Sequence, residues 1–449
     1  MKSRLNTHRP RPLSEGRAPR VPGFSLKRLD SWNSSLRERF VSSSLSLILT
    51  LLLSSSALAA PSEWLDRLDE TLHLESPNSE ITVDASVLAD LEFYTIDQRA
   101  PAILFPKSDV LWNPRLALFL DTRIGSHLYS LVQYRVDRGF DPGAKGETAK
   151  RFDEYLLRFT PFDDGRLNLQ VGKFATVVGN WVARHDSWQN PFVNAPLAYE
   201  NILTVSDARG DILPDAFLRL RDRPDNKPRW LPVLWGPSYA AGASVFGLAH
   251  SVEYAVEIKN ASLSSRPTAW NPNTLGWENP TYSARIGYRP NAAWRLGFSG
   301  SFGTYLLPRA AATLPAGKDV GDYNQITIAH DLQHAWGHWE LWAEIFASRF
   351  EVPGVGNADS LSYYVEAKYD LPNPHWFLAG RWNQQLFAKV DNGAGGRTDW
   401  DRDAWRMDTS IGYRWDRHWQ AKLGYSYLHQ KGPLQQGEQM VSGQLTLKF

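Results

Sequence analysis

Charged side chains occupy alternate positions in runs whose intervening residues are largely apolar. Arg115, Asp121 and Arg123 do so in one run, Arg135 and Asp137 in another, and Arg406 and Asp408 near the end. Glu253, Glu257 and Lys259, then Glu340 and Glu344, then Glu366 and Lys368 repeat the pattern, with Arg158, Arg285, Arg295 and Arg381 as single members. Residues two or four apart share one face of a strand, so these ions are gathered on single faces. Glu340 and Glu344 are a carboxylate pair of the kind that acid–base catalysis uses, yet no nucleophile or base pattern accompanies them. The chain has no Gly-x-Ser-x-Gly, His-Glu-x-x-His or glycine-rich phosphate loop. His334 and His338 are four apart but are expected in a turn, where that spacing gives no shared face for zinc. Asp163-Asp164-Gly165 reads as a turn rather than a calcium loop. The chemistry expected is that of ion pairs and hydration: no enzyme, no cofactor and no metal. Such charges cannot be buried among apolar groups, so the space they face must hold water or a polar plug.

The elements that would present these faces are strands. Sixteen alternating runs lie near 81–95, 113–123, 127–138, 152–160, 166–174, 238–248, 251–261, 281–289, 294–305, 323–332, 338–349, 361–370, 375–388, 405–415, 418–429 and 439–449. Most reach the length of about 9–11 residues that a tilted membrane strand needs. Their connections alternate between short turns, such as Ile124-Gly125-Ser126, and longer loops, such as 262–280 and 389–404. A hairpin repeat reinforces the count: Gly287-Tyr288 leads to Trp294, Gly412-Tyr413 leads to Trp419, and Trp339 and Trp376 open similar strands. Trp294, Trp339, Trp376 and Trp419 thus gather at the short-turn level, as amphipathic rings do at a membrane interface.

Neither end contradicts this. Residues 1–59 carry ten Lys+Arg and three Asp+Glu, followed through 41–60 by a short apolar stretch and Ala57-Leu58-Ala59, which reads as a secretory signal. The unusually long basic region before it suggests an over-extended start. Removing the segment takes the formal charge from +1 to −6, so no electrostatic case for nucleic acid remains. Without cysteine there are neither disulfides nor thiolate metal sites. Residues 60–79 form a short periplasmic helix or N-terminal segment, with Trp64, Leu65, Leu68 and Leu72 on one face; a plug is the alternative. Residues 80–449 read as one closed sheet. The last run places Val441, Gly443, Leu445, Leu447 and Phe449 on one face.

That terminal strand, closing on Phe449, resembles the last strand of a bacterial outer-membrane β-barrel, and the whole pattern is similar to that of the general or substrate-selective porins. The resemblance implies an all-β transmembrane antiparallel barrel of 16 strands, with 18 as the alternative, in the outer membrane of a Gram-negative-type bacterium. It implies partners too: outer-membrane lipid, the insertion machinery that reads the terminal aromatic, and two further copies in a trimer. The partner of the last strand would be the first, near Val83–Phe93. In porins the third outer loop folds inward and narrows the pore. By position that loop is about 175–237 here, with Arg184, Asp186, Arg209, Asp211 and Arg219 bordering the constriction. The wall ions, Arg115, Arg135, Arg158, Arg285, Arg295, Glu340, Glu344, Arg381 and Arg406, would line the pore. Trp294, Trp339, Trp376, Trp419 and Phe449 would form the girdle. The expected function is diffusion of small polar solutes. The alternative is a polysaccharide exporter or surface-polysaccharide anchor, with Trp342, Phe346 and Tyr364 stacking on sugar.

Overall fold

The computed structural model describes residues 62–97, 103–105, 108–144, 148–222, 230–267, 270–272, 277–432 and 437–449. The expected signal segment lies outside them. Sixteen strands run in sequence order: β1 Ile81–Ile96, β2 Val110–Ile124, β3 Leu128–Asp137, β4 Ala149–Phe159, β5 Asn168–Phe174, β6 Ala240–Ala249, β7 Val252–Lys259, β8 Thr281–Asn291, β9 Trp294–Thr304, β10 Asn324–Trp336, β11 Trp339–Val352, β12 Gly356–Asp370, β13 Trp376–Phe387, β14 Ala404–Arg414, β15 Trp419–Gln430 and β16 Gly437–Lys448. Each pairs antiparallel with the next, and β16 pairs back onto β1 from Lys448↔Leu88 to Met440↔Ile96. The seam partner is therefore the first strand, over a run a few residues later than expected. Beyond it, Val87 donates its backbone N–H to the Phe449 carbonyl at 2.6 Å. Closure leaves no edge, which lipid requires because nothing there can satisfy an open backbone group.

The alternation is inside out. Along β9, Phe298 and Phe302 are 53% and 48% exposed while Ser299 and Ser301 are buried. Along β8, Tyr282, Ile286 and Tyr288 face out, while Ser283 and Arg285 face in. A soluble sandwich would bury the apolar face against a second sheet. Here it is the outer surface, which a bilayer would cover. The eighteen-strand alternative is ruled out: residues 215–222 belong mainly to the helix Pro214–Leu220, and 230–235 form no strand.

Each repeated tryptophan is the first residue of its strand, at β9, β11, β13 and β15. Turns before them are tight, and Gly337 takes a left-handed φ of 54° between β10 and β11, a conformation that costs glycine little. Rings there touch in series: Trp294 stacks on His334 at 3.8 Å, Trp336 lies 6.1 Å from Trp339, and Trp339 lies 4.7 Å from Tyr369. Trp376 meets Tyr413 at 4.6 Å. His334 is thus on a strand, not in a turn as its sequence suggests, and its ring is taken up by Trp294. At the opposite strand ends Trp382, Trp405 and Tyr427 make a second group. Helix α1, Ser62–Thr71, reaches the turn before β15, where Asp66 meets His418 at 2.9 Å and buried Leu65 is wholly covered. Among the described residues no helix is long and apolar enough to cross a membrane.

A charge introduced on the outer face near mid-strand has no water to reach. Ile286→Arg should lower unfolding stability in lipid vesicles by about 2–4 kcal/mol, read as a shift in the urea transition. An unchanged transition would mean that this face does not meet lipid.

Candidate functional site

The described parts of the connection from β5 to β6, residues 175–222 and 230–239, pack against the inward faces of the strands. It contains a 3-10 turn, Trp181–Arg184, and two short helices, α2 (Leu197–Glu200) and α3 (Pro214–Leu220). Loops normally run over a surface, but Val178, Tyr199, Leu203, Val205, Val233 and Leu234 are wholly buried. They pack on the inward aromatics Trp342, Phe346, Tyr364 and Phe387.

One half of the wall holds this segment. The Glu344 carboxylate accepts the backbone N–H groups of Asn180 and Trp181 and, at 2.7 Å, the Tyr199 hydroxyl. Lys422 donates to three consecutive-turn carbonyls, Ser187, Asn190 and Phe192, at 2.6, 2.8 and 3.3 Å. Arg381 reaches the Asn194 carbonyl and side chain and the Ala195 carbonyl. Arg406 pairs with Glu200, and Asn383 accepts the Leu197 N–H at 3.0 Å. These anchors come from β11 to β15. The wall ions also bind each other: Glu366, Arg381 and Asp408 are direct cross-strand neighbours in β12, β13 and β14. Arg381 spans both carboxylates at 3.3 and 2.9 Å.

The other half of the wall leaves space. A cavity of about 600 Å³ opens toward the short turns, bordered by Glu154, Arg158, Gln170, Phe246, Arg289 and Arg295 among others. A second of about 140 Å³ lies toward the long loops, bordered by Tyr94, Asn113, Arg115, Arg135, Arg151 and Tyr239 among others. His185 is the residue common to both linings. Its Nδ1 lies 2.6 Å from the Val182 carbonyl and must carry the proton there, so Nε2 accepts from the Tyr239 hydroxyl at 2.7 Å. Burial pushes the His185 pKa down, against the pull of the Val182 carbonyl, which keeps the ring neutral.

No family model matches the chain, and no curated protein does. Solved structures do. An anion-selective porin from Comamonas acidovorans superposes with TM-score 0.52 at 9% identity, covering 82% of this chain and 100% of its own. The outer membrane channel DcaP of Acinetobacter baumannii gives 0.52 at 9%, covering 84% and 99%. OprB of Pseudomonas putida gives 0.51 at 10%, covering 82% and 94%. The chain has the outer-membrane porin fold.

Within that fold the residues singled out from the sequence separate into groups. Arg115 pairs with Asp90 and Glu92, Arg135 with Asp153, and these line the smaller cavity. Arg158, Arg285 and Arg295 line the larger one, with Arg295 on Glu253 and Arg285 on Asp331 and the Gly179 carbonyl. Asp186 borders it too, its Oδ1 accepting the Trp188 and Gln189 N–H groups at 2.8 Å each. Glu340 pairs with Lys368 at 3.0 Å at the short-turn rim. Arg184 lies under the segment, ion-paired to Glu366. Burial opposes its charge, but Glu366, Tyr364 and Glu344 together hold its pKa above the ordinary value.

Several placements differ from expectation, and Glu344, Arg381 and Arg406, expected to line the pore, are covered by the segment they hold. Arg209 and Asp211 pair with each other at 2.8 Å and are 62% and 43% exposed, and Arg219 pairs with Asp215 on exposed α3. None of the three borders either cavity, because each salt bridge is local and needs nothing from the wall. Trp342, Phe346 and Tyr364 are 5%, 0% and 1% exposed, and the Arg184 guanidinium covers the Trp342 ring at 4.3 Å. They are core for the inserted segment and not open to a saccharide. Lys422, Asn383 and Asn194 went unmarked. Lys422 is marked by its cross-strand neighbours, Gly412 and Gln444, neither of which is a carboxylate.

Removing the lysine leaves three carbonyls short of a donor. Lys422→Met should lower unfolding stability by about 1–3 kcal/mol and speed proteolysis near Ser187–Phe192; cleavage at the parent rate would show that the clasp is not what holds this stretch. Asp207 adds a pH effect. Burial raises its pKa from 3.8 to about 6, with Arg309 opposing. The raised value means that folding favours the proton, so its contribution is present below about pH 4 and lost as pH rises through 6. Asp207→Asn should be more stable than the parent at pH 7, by up to about 3 kcal/mol, and equal to it near pH 3. Urea midpoints across that range decide it.

Proposed function

We propose that the chain is an outer-membrane channel through which small polar solutes diffuse, with the segment 175–239 narrowing the path. The observation that carries this reading is the pair of cavities with charged linings, one toward each end of the barrel, that have His185 in common. Interior ions that were purely structural would be paired and sealed. Here Arg115, Arg135 and Arg158 pair or hydrogen-bond within the wall and still border open space. Mixed signs along both cavities argue for a hydrated path with no strong exclusion of either charge. Neighbours described as an anion-selective porin and as an outer membrane channel support the same reading. On this reading the signal segment 1–59 is removed on export, and Phe449 is the residue that the insertion machinery meets.

The test is single-channel recording in planar bilayers. The parent should conduct weakly. Deleting 184–210 removes the stretch held by Lys422, Arg381 and Arg406, and those wall cations then meet water rather than apolar groups. Single-channel conductance should rise about twofold or more. A deletion variant that folds and conducts no better would sink the narrowing role; a parent with no conductance at all would sink the channel.

A further inference from the structure

Arg115, Arg381 and Lys368 each face an acid directly across the sheet, and Arg135, Arg285, Arg295 and Arg406 each reach one nearby; Arg158 does neither. Its cross-strand neighbours are Tyr129 on β3 and Gln170 on β5. Its Nε and one terminal nitrogen both donate to the Gln170 side-chain oxygen, at 3.1 and 2.9 Å. No carboxylate lies within salt-bridge distance of it among the described residues, and its second terminal nitrogen has no acceptor there. The faces of the guanidinium are covered by the rings of Tyr129 and Phe246, at 5.0 and 5.1 Å. Those rings and Gln170 hold the group in one orientation, with a free donor edge.

That edge borders the cavity of about 600 Å³, a size typical of small-molecule sites. The surrounding wall is apolar where Leu131, Leu156, Phe174 and Phe246 contribute. Nearby acids are committed. Glu154 accepts the Ala175 N–H at 2.9 Å, and Glu253 is shared among Arg285, Arg289 and Arg295. Three guanidiniums share Glu253, with only Arg285 having a second acid in Asp331, so the four guanidiniums of the cavity lining face the three carboxylates of Glu154, Asp186 and Glu253.

We propose that this cavity is a binding site for organic anions that carry one carboxylate on an apolar or aromatic body, with Arg158 as the residue that selects the carboxylate. The inference deepens the channel reading and rests on it for its biological sense. A planar guanidinium held by rings suits a carboxylate, which it meets with parallel hydrogen bonds. Leu131, Leu156 and Phe246 take up the apolar part. A carboxylate without that part forfeits the burial, and an apolar solute without charge forfeits the ion pair.

Calorimetric titration of the full protein in detergent micelles tests the site without requiring conduction. Benzoate should bind, and benzyl alcohol and acetate should each bind about tenfold more weakly or worse. Arg158→Gln should lose about tenfold or more of the benzoate affinity, and Arg158→Lys should keep part of it. Benzoate binding equal to that of benzyl alcohol or acetate overturns the proposal in the parent alone, whatever the variants do. So does an Arg158→Gln protein with intact β-sheet circular dichroism and parental affinity. Bilayer recording separates the two readings. Benzoate should block the open channel transiently in the parent and less in Arg158→Gln. Conductance without benzoate binding removes this site and leaves the channel; binding without conductance leaves the site and removes the channel.

Discussion

A charged side chain on a strand surrounded by lipid can be solvated from the inside only. Everything within this barrel follows from that. The outward face is apolar from Ile286 to Leu445, so each strand must place its polar half in the lumen, and sixteen strands bring many ions into one enclosed volume. An ion there needs water, an opposite charge or a backbone dipole. The Glu366–Arg381–Asp408 row uses opposite charge. Lys422 uses three carbonyls.

The second requirement sits on the first. Carbonyls can satisfy Lys422, Arg381 and Arg406 only if a stretch of chain enters the barrel, and the long connection after β5 supplies it. Its own unpaired N–H groups at Asn180, Trp181 and Leu197 are answered in turn by Glu344 and Asn383. The wall and the segment therefore satisfy each other, and neither face would be stable in a dry lumen alone. Because the wall groups that hold it lie on β11 to β15, the segment leans to that side. The free volume is displaced to the opposite wall, where both cavities lie.

Much of this was legible in the sequence, and the division is physical. Period-two alternation reports which face a residue occupies, so the strand count, the closing partner of β16 and the tryptophan positions could all be read. Strand ends shifted by a few residues, as with Lys448↔Leu88 at the seam. Alternation does not report what fills the enclosed side. Trp342, Phe346 and Tyr364 face inward as alternation predicts, but they meet Tyr199 and Arg184, from a segment with no period at all, in place of open space. Within that segment, charge alone could not tell Arg184, which crosses to Glu366, from Arg209, which closes a two-residue loop on Asp211. The deciding quantity was the distance to the wall, which only the folded path sets.

Cross-strand neighbours recover part of what alternation loses. A lumen cation beside an acid, such as Arg115 beside Asp90 or Arg381 beside Glu366 and Asp408, is explained within the sheet. A lumen cation with no acid of the sheet in salt-bridge reach points outside the sheet for its partner. Lys422, between Gly412 and Gln444, finds the inserted segment. Arg158, between Tyr129 and Gln170, is in the same position on the opposite wall, where the inserted segment supplies it no acceptor. The two residues pose one electrostatic problem, and the asymmetric seating of the segment answers it on one side only. What remains on the other side is a guanidinium, held by two rings, facing the larger of the two cavities.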